Sequence, residues 1–299
     1  MLANINIAFI GLGVMGFPMA GHLATAGVST TVYNRTTAKA AQWCQTYNGT
    51  WASSPADAAK GADIVLVCVG NDSDLHDVTL GADGALHGMS AGSILIDHTT
   101  ASADMARTLH QHCSTRGIGF VDAPVSGGQQ GAEQGQLSIM CGGDATDFNR
   151  AKPLLELYAK AVQHMGPAGH GQLTKMVNQI CIAGLLEGLA EGMHFAQQAG
   201  LDTAKVIDVI QHGAAGSWQM VNRHQTMLAD HYDHGFAVDW MRKDLMMCLE
   251  EGRKNGSYLP VTTVVNDYYK DVQHMGGGRW DTSSLLKRLQ SLPPQNKPS

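Results

Sequence analysis

The sequence predicts an α/β domain on a parallel sheet, followed by an all-α domain, with a long interdomain helix joining them. Two observations carry this. Short apolar runs alternate with helical segments over the first part of the chain, and after about residue 165 only helical spacing remains. Ile5 to Ile10 is an apolar run that stops at glycines, as a buried strand does, and Val14 to Ala26 has helical spacing and ends at Gly27, a natural C-terminal cap. Ser29 to Tyr33 reads as a strand, Thr37 to Tyr47 as a helix, and Ser54 to Lys60 as a helix with Pro55 in its first turn. Ile64 to Val69, Ser93 to Asp97 and Gly119 to Asp122 supply three further strands, with Leu137 to Cys141 as a sixth. Strands apolar throughout are expected to be parallel and covered on both faces.

The second half opens with one long helical stretch, Lys175 to Gln198, whose Ala183, Gly184, Gly188, Ala190 and Gly192 permit close packing. Helical patterns recur at Thr203 to Gln211, Asp239 to Lys254 and Val261 to Asp271. The expected division is therefore 1–165, 166–290 and a polar, Pro-rich, disordered tail at 291–299.

Composition excludes several function classes. An apolar fraction of 44 % supplies ample core, and the 35 glycines are dispersed among turns and packing positions rather than repeated. A net charge of -6 without a Lys/Arg block argues against nucleic acid or anionic membrane as a partner. The six cysteines form no C-x-x-C pair and read as reduced thiols of a cytoplasmic protein. His231 and His234 come nearest to metal-ligand spacing, but in an irregular polar turn, so no metal site is expected. The N-terminus runs straight into a strand without a basic leader and does not read as a signal peptide, and no apolar run reaches the ~20 residues of a membrane helix.

Gly11-Leu12-Gly13-Val14-Met15-Gly16 is a G-x-G-x-x-G between a strand and a helix, the context in which it binds a dinucleotide. Gly11 makes the turn, Gly13 admits a pyrophosphate, and Gly16 lets the helix approach the strand, with the helix N-terminus facing the phosphates. An NAD site normally carries an acid ~20 residues on, bonded to the adenosine ribose. Here Asn34, Arg35 and Thr36 follow Tyr33, and no Asp or Glu precedes Asp57. Arg35 offers a planar cation to a 2′-phosphate, with Asn34 and Thr36 as uncharged donors, so NADP is expected over NAD.

Two later segments suggest a substrate site. Ser126-Gly127-Gly128, within DAPVSGG at 122–128, forms a plausible backbone nest for a substrate carboxylate. Lys175 and Asn178, in GHGQLTKMVNQ at 169–179, are three apart on the long helix and share a face. A desolvated lysine moves towards the range for proton transfer, so Lys175 is a candidate general acid/base.

GLGVMGFPMA at 11–20, DAPVSGG, G-x-G-x-x-x-K-x-x-N at 169–178 and KDL at 243–245 occur in that order. Together they resemble the β-hydroxyacid dehydrogenases, a family that includes 3-hydroxyisobutyrate dehydrogenase and 2-hydroxy-3-oxopropionate (tartronate semialdehyde) reductase, with 6-phosphogluconate dehydrogenase as a larger relative. The resemblance runs nearly end to end. It implies a Rossmann domain, homodimers or homotetramers, and hydride transfer between NADP(H) and a small β-hydroxyacid or semialdehyde. It casts Lys175 as general acid/base and Asn178, with Gln179 beside it, as orienting the substrate, and it puts Ser126, Gly127 and Gly128 on the substrate carboxylate. It further assigns the cofactor to the glycine turn (Gly11 to Gly16), to Val69, Gly70 and Asp74, to Thr100 beside the nicotinamide, and to Lys243 with Asp244 nearby. Gly70 stands where many members have proline, His98 where serine is frequent, and Gln179 where many have a second asparagine. Trp218, Phe236 and Trp240 are expected near the distal end of the substrate pocket. The rival readings are an imine reductase, whose members generally lack the catalytic lysine, and a catalytically silent dinucleotide-binding scaffold.

Overall fold

In a computed structural model, which describes residues 5–293, nine strands form one sheet in the order β3-β2-β1-β4-β5-β6-β8-β7, with β9 paired to β8. The strands are β1 (Asn6–Ile10), β2 (Ser29–Tyr33), β3 (Thr50–Trp51), β4 (Ile64–Val67), β5 (Ile94–Asp97), β6 (Gly119–Asp122), β7 (Val125–Ser126), β8 (Leu137–Gly143) and β9 (Ala159–Gly166). Side-chain alternation sends Ile7, Phe9, Leu66, Ile96 and Val121 into one apolar cluster, and Ala8, Ile10, Val65, Val67, Leu95 and Phe120 into another. The sheet is thus buried on both faces, which is why its central strands are apolar except at the terminal Asn6, Asp97 and Asp122. Helices α1 (Gly16–Thr25), α2 (Thr37–Thr46), α3 (Pro55–Ala59), α4 (Asp72–Leu80), α5 (Ala103–Ser114), α6 (Gly128–Glu133) and α7 (Ala145–Leu155) complete this half.

The expectation of a purely parallel sheet needs correcting. β1 to β6 are parallel, but β8 runs antiparallel to both β6 and β7. The short β7 continues in the direction of β6 past Ala123 and Pro124, so both lie antiparallel to β8, which pairs parallel with β9. Three strands were not anticipated: β3, β7 and the eight-residue β9. Helices α4, α5, α6 and α7 were also not anticipated.

Helix α8 (His170–Gln198) starts five residues before Lys175 and runs through the point, between Lys175 and Met176, where the chain divides into two compact units. This division lies ten residues beyond the expected 165/166 boundary. The second unit is helical, with α9 (Thr203–Ile210), α10 (Trp218–Leu228), α11 (Val238–Asn255), α12 (Pro260–His274) and α13 (Leu285–Ser291). Ala183, Leu186, Ala190 and Met193 of α8 pack with Met241 and Leu245 of α11, Val265 and Tyr269 of α12, and Leu285 of α13. Of the tail placed at 291–299, Ser291 closes α13 and residues 294–299 lie outside the described residues. Among the described residues no helix is long and apolar enough to cross a membrane.

Candidate active site

The glycine turn is built as its motif requires. Gly11 has φ +97°, and a Cβ there would lie 2.2 Å from the Cys68 carbonyl oxygen; a Cβ on Gly16 would lie 1.9 Å from the Gly11 carbonyl oxygen. Gly13 has no atom within 4 Å of where its Cβ would point, so its backbone stands open to a close-approaching group. No side chain caps the start of α1 and its first turn holds no acid, which leaves that helix end suited to phosphate. These features fit a dinucleotide pyrophosphate beside Leu12, Val14 and Met15.

Asn34 braces this turn from the end of β2. Its Oδ1 accepts from the Leu12 N–H at 2.9 Å, and its amide donates to the Thr36 carbonyl at 3.1 Å. Both ends of the side chain are thereby engaged by protein. Arg35 beside it is 87 % exposed, and its Nη1 lies 3.3 Å from Oδ1 of Asp74. The absence of acids before Asp57 therefore does not make this corner free of carboxylates, because α4 brings one in.

A second cluster forms where β4, β5 and β6 end. The Val69 N–H donates to the Thr99 hydroxyl at 3.1 Å, and the Thr99 N–H donates to Oδ1 of Asp97 at 2.9 Å. Gln172, buried in the first turn of α8, accepts from the Ala101 N–H at 3.1 Å and donates to the Thr99 carbonyl at 2.7 Å. It grips the peptides on either side of Thr100. Asp122, fully buried at the end of β6, accepts from the Gly169 N–H at 2.8 Å and the Gln172 N–H at 2.9 Å. It closes the N-terminus of α8, where a carboxylate also meets the positive end of the helix dipole. A Cβ on Gly171 would lie 2.4 Å from the Met140 carbonyl oxygen and 2.7 Å from Asp122, which explains the second glycine of the GHG segment. One turn beyond Gln172 stands Lys175, buried at 7 % exposure.

Burial dominates the electrostatics here. Asp97 is pushed up to about 7 by desolvation, with Thr99 hydrogen bonds opposing and the neighbouring Asp122 and Asp72 adding to the rise. Asp122, its register partner on β6, is also raised by burial, against the opposing N–H groups of Gly169 and Gln172. His98 bridges two segments: Nδ1 lies 2.7 Å from the Ala123 carbonyl, which fixes it as the donor, and Nε2 accepts from the Tyr158 hydroxyl at 2.9 Å. Burial lowers His98 to about 4, with the Ala123 hydrogen bond opposing, so the ring is neutral.

The segment Ser126-Gly127-Gly128, expected to hold the substrate carboxylate, leads from β7 into α6. Gly127 and Gly128 have φ +134° and +62°, in the region that favours glycine. In the second unit the structure joins Asn178, Gln179, Asp244 and Lys243. Asn178 donates to Gln179 Oε1 at 2.7 Å, Gln179 donates to Asp244 Oδ2 at 2.8 Å, and Lys243 lies 3.2 Å from Asp244 Oδ1. Gln179 and Asp244 are buried, and Lys243 lies beside the Trp240 ring. Trp218 is instead exposed at the start of α10 under Arg223, and Phe236 packs on the helical core. His234 Nε2 lies 3.1 Å from the His231 carbonyl, and among the described residues no group of three His, Cys, Asp or Glu is placed to hold a metal ion.

Residues 6–166 match the family model described as the NAD-binding domain of 6-phosphogluconate dehydrogenase, and residues 169–289 match that described as NAD-binding of NADP-dependent 3-hydroxyisobutyrate dehydrogenase. The chain belongs to the β-hydroxyacid dehydrogenase family. An uncharacterized oxidoreductase of Shewanella frigidimarina is 61% identical over 95% of this chain and 98% of its own length. A probable mitochondrial 3-hydroxyisobutyrate dehydrogenase-like protein of Arabidopsis thaliana is 40% identical over 97% of this chain and 86% of its own. The solved Mycobacterium tuberculosis 3-hydroxyisobutyrate dehydrogenase with L-serine superposes with a TM-score of 0.86 at 28% identity, covering 96% of this chain and 99% of that one. As a member of this family the chain is an NAD(P)-dependent oxidoreductase of the 3-hydroxyacid dehydrogenase type.

The positioning roles of Asp97, Asp122 and Gln172 were not assigned from sequence. A signal was present for the two acids: each is a carboxylate closing an otherwise apolar strand, ILID and GFVD. Burying such a residue is costly unless donors meet it.

Proposed function

We propose that this dehydrogenase prefers NADP(H) and interconverts a short β-hydroxyacid with its carbonyl or semialdehyde partner, with Lys175 moving the proton. The observation that carries the reading is Lys175, buried one turn beyond the point where Asp122 and Gln172 fix the start of α8. The nicotinamide cofactor supplies a hydride acceptor or donor. In oxidation Lys175 takes the hydroxyl proton; in reduction it returns a proton to the carbonyl oxygen. The Ser126-Gly127-Gly128 nest receives the substrate carboxylate, and Asn178 orients the reacting end. The solved relative named with L-serine, itself a β-hydroxyacid, supports this substrate class.

NADP(H) preference rests on Arg35, exposed at the end of β2 with no acid in the preceding sequence. The description of the second family model supports it. The test is kcat/KM for a panel of hydroxyacids with NADP+ and NAD+, for the natural chain and for Arg35→Ala. NADP+ should be favoured by the natural chain and lose its advantage in the variant; equal or better use of NAD+ by the natural chain overturns the preference. We further read the enzyme as a cytoplasmic homo-oligomer. Phe195, Val209 and Val221 stand out as apolar side chains on the surface of the helical unit. Sedimentation at micromolar concentration should give a dimer or tetramer mass; a monomer would remove this part.

A further inference from the structure

Arg35 and Asp74 are assigned to the cofactor separately from sequence; the structure pairs them with each other. Arg35 arrives from β2 and Asp74 from the first turn of α4, 39 residues later. The backbone of Asp74 is fixed independently of its carboxylate, because its N–H donates to the Asn71 side chain at 2.8 Å. The neighbouring acid, Asp72, is engaged elsewhere: its Oδ1 accepts from the Ser102 N–H at 2.9 Å. Asp74 is therefore the carboxylate that faces Arg35, with Nη1 and Oδ1 at 3.3 Å and 30 % of the aspartate side chain exposed.

We propose that Asp74 is a specificity-determining residue that limits the preference for NADP(H) by holding the Arg35 guanidinium and by offering an acceptor to an unphosphorylated ribose. This rests on the reading that Arg35 receives the 2′-phosphate. A 2′-phosphate must draw Arg35 from Asp74 and then lie near a second negative charge. A free 2′-hydroxyl carries a proton to donate, and a carboxylate accepts it. Arg35 and Asp74 thus push cofactor choice in opposite directions, and the ratio of affinities is their balance. An acid that sequence places far from the end of β2 takes up, through the fold, the position of the missing ribose clamp.

The pair is solvent-exposed, so its effect is modest and sensitive to salt. Asp74→Asn keeps the size and the Asn71 cap while removing the charge. It should raise the ratio of NADP+ to NAD+ affinity by about threefold to tenfold at low ionic strength, and by less as screening grows. The probes are NADP+ and NAD+ themselves, titrated by calorimetry into the natural chain, Asp74→Asn, Arg35→Ala and the double variant. The Asp74→Asn shift should shrink when Arg35 is already alanine. An equal shift in both backgrounds shows that Asp74 does not act through Arg35 and overturns the proposal. No shift in Asp74→Asn, with NADP+ affinity still lost in Arg35→Ala, overturns it while leaving the cofactor reading intact. NADP+ affinity unchanged in Arg35→Ala overturns both.

Discussion

Replacing Asp122 by asparagine tests the mooring of the helix that carries Lys175. The aspartate receives two backbone N–H groups, from Gly169 at 2.8 Å and Gln172 at 2.9 Å, in a fully buried position. An asparagine of the same shape has one acceptor oxygen, so its NH2 must face the other N–H. One charge-assisted hydrogen bond is lost, worth about 1.5–3 kcal/mol, and one buried donor is left unsatisfied at about 1–3 kcal/mol. Burial disfavours the carboxylate charge, as its raised pKa records, so removing the charge returns part of that loss. The net expectation is about 2–4 kcal/mol of destabilisation. With a urea dependence of about 1–3 kcal/mol per M, the midpoint should fall by roughly 1–2 M. Asp97→Asn is the internal comparison: Asp97 Oδ2 has no hydrogen-bond partner among the described residues, and an amide oxygen can still accept from the Thr99 N–H at Oδ1. It should cost under about 1 kcal/mol. In folded Asp122→Asn protein kcat should drop at least about tenfold, because a displacement of about 1 Å at a reacting group has costs of that order or more. An Asp122→Asn midpoint within error of the natural chain, with kcat unchanged, would refute this account of the α8 anchor.

His98 is held neutral with its pKa lowered to about 4 against 6.5 unfolded, so its contribution is fully present above 6.5 and is lost as pH falls through 4. That window corresponds to about 3 kcal/mol, and urea midpoints measured from pH 7 to 4 should fall less steeply in His98→Asn than in the natural chain. Glu187 on α8 behaves with the opposite sign. Desolvation, with a further push from Glu191 and opposition from Arg288, raises it from 4.5 to about 7, and among the described residues neither carboxyl oxygen has a hydrogen-bond partner. Its stabilising state is the protonated one, present below 4.5 and lost as pH rises through 7, so Glu187→Gln should flatten the stability profile across that range; an unchanged slope would contradict it. Gly127→Val forces a branched residue to φ +134° with its Cβ 3.1 Å from Leu137 Cδ2, and should raise KM for hydroxyacids at least about tenfold while leaving NADPH affinity within about twofold.

The central strands were legible because burial on both faces writes itself into composition: IVLV of β4 and ILI of β5 are apolar and buried throughout. β9 was not, because among the described residues it pairs with β8 alone and its positions are half-buried or exposed; pairing, not burial, makes it a strand. Helix α4 reads DSDLHDVTL, too polar for an amphipathic signal, and its main cue was the Asn71 cap. The start of α8 was placed late because its first turn is fixed by Asp122, nearly fifty residues earlier, rather than by a local cap. At the site, glycines with a steric need and the buried lysine could be read from motif and spacing. The Arg35–Asp74 pair and the grip of Gln172 on Thr99 and Ala101 could not, since each joins residues separated by dozens of positions.

On the proposed reading, Lys175 carries the proton for a substrate anchored by its carboxylate. The most direct measurement is the single-turnover rate of NADPH oxidation with a semialdehyde acid and with its uncharged amide analogue, for the natural chain and Lys175→Ala. Loss of the general acid should slow the acid substrate by about 10²–10⁴-fold with NADPH affinity nearly unchanged, and the amide should be a poor substrate of the natural chain. Near-normal turnover in Lys175→Ala, or equal use of the amide, would contradict the account.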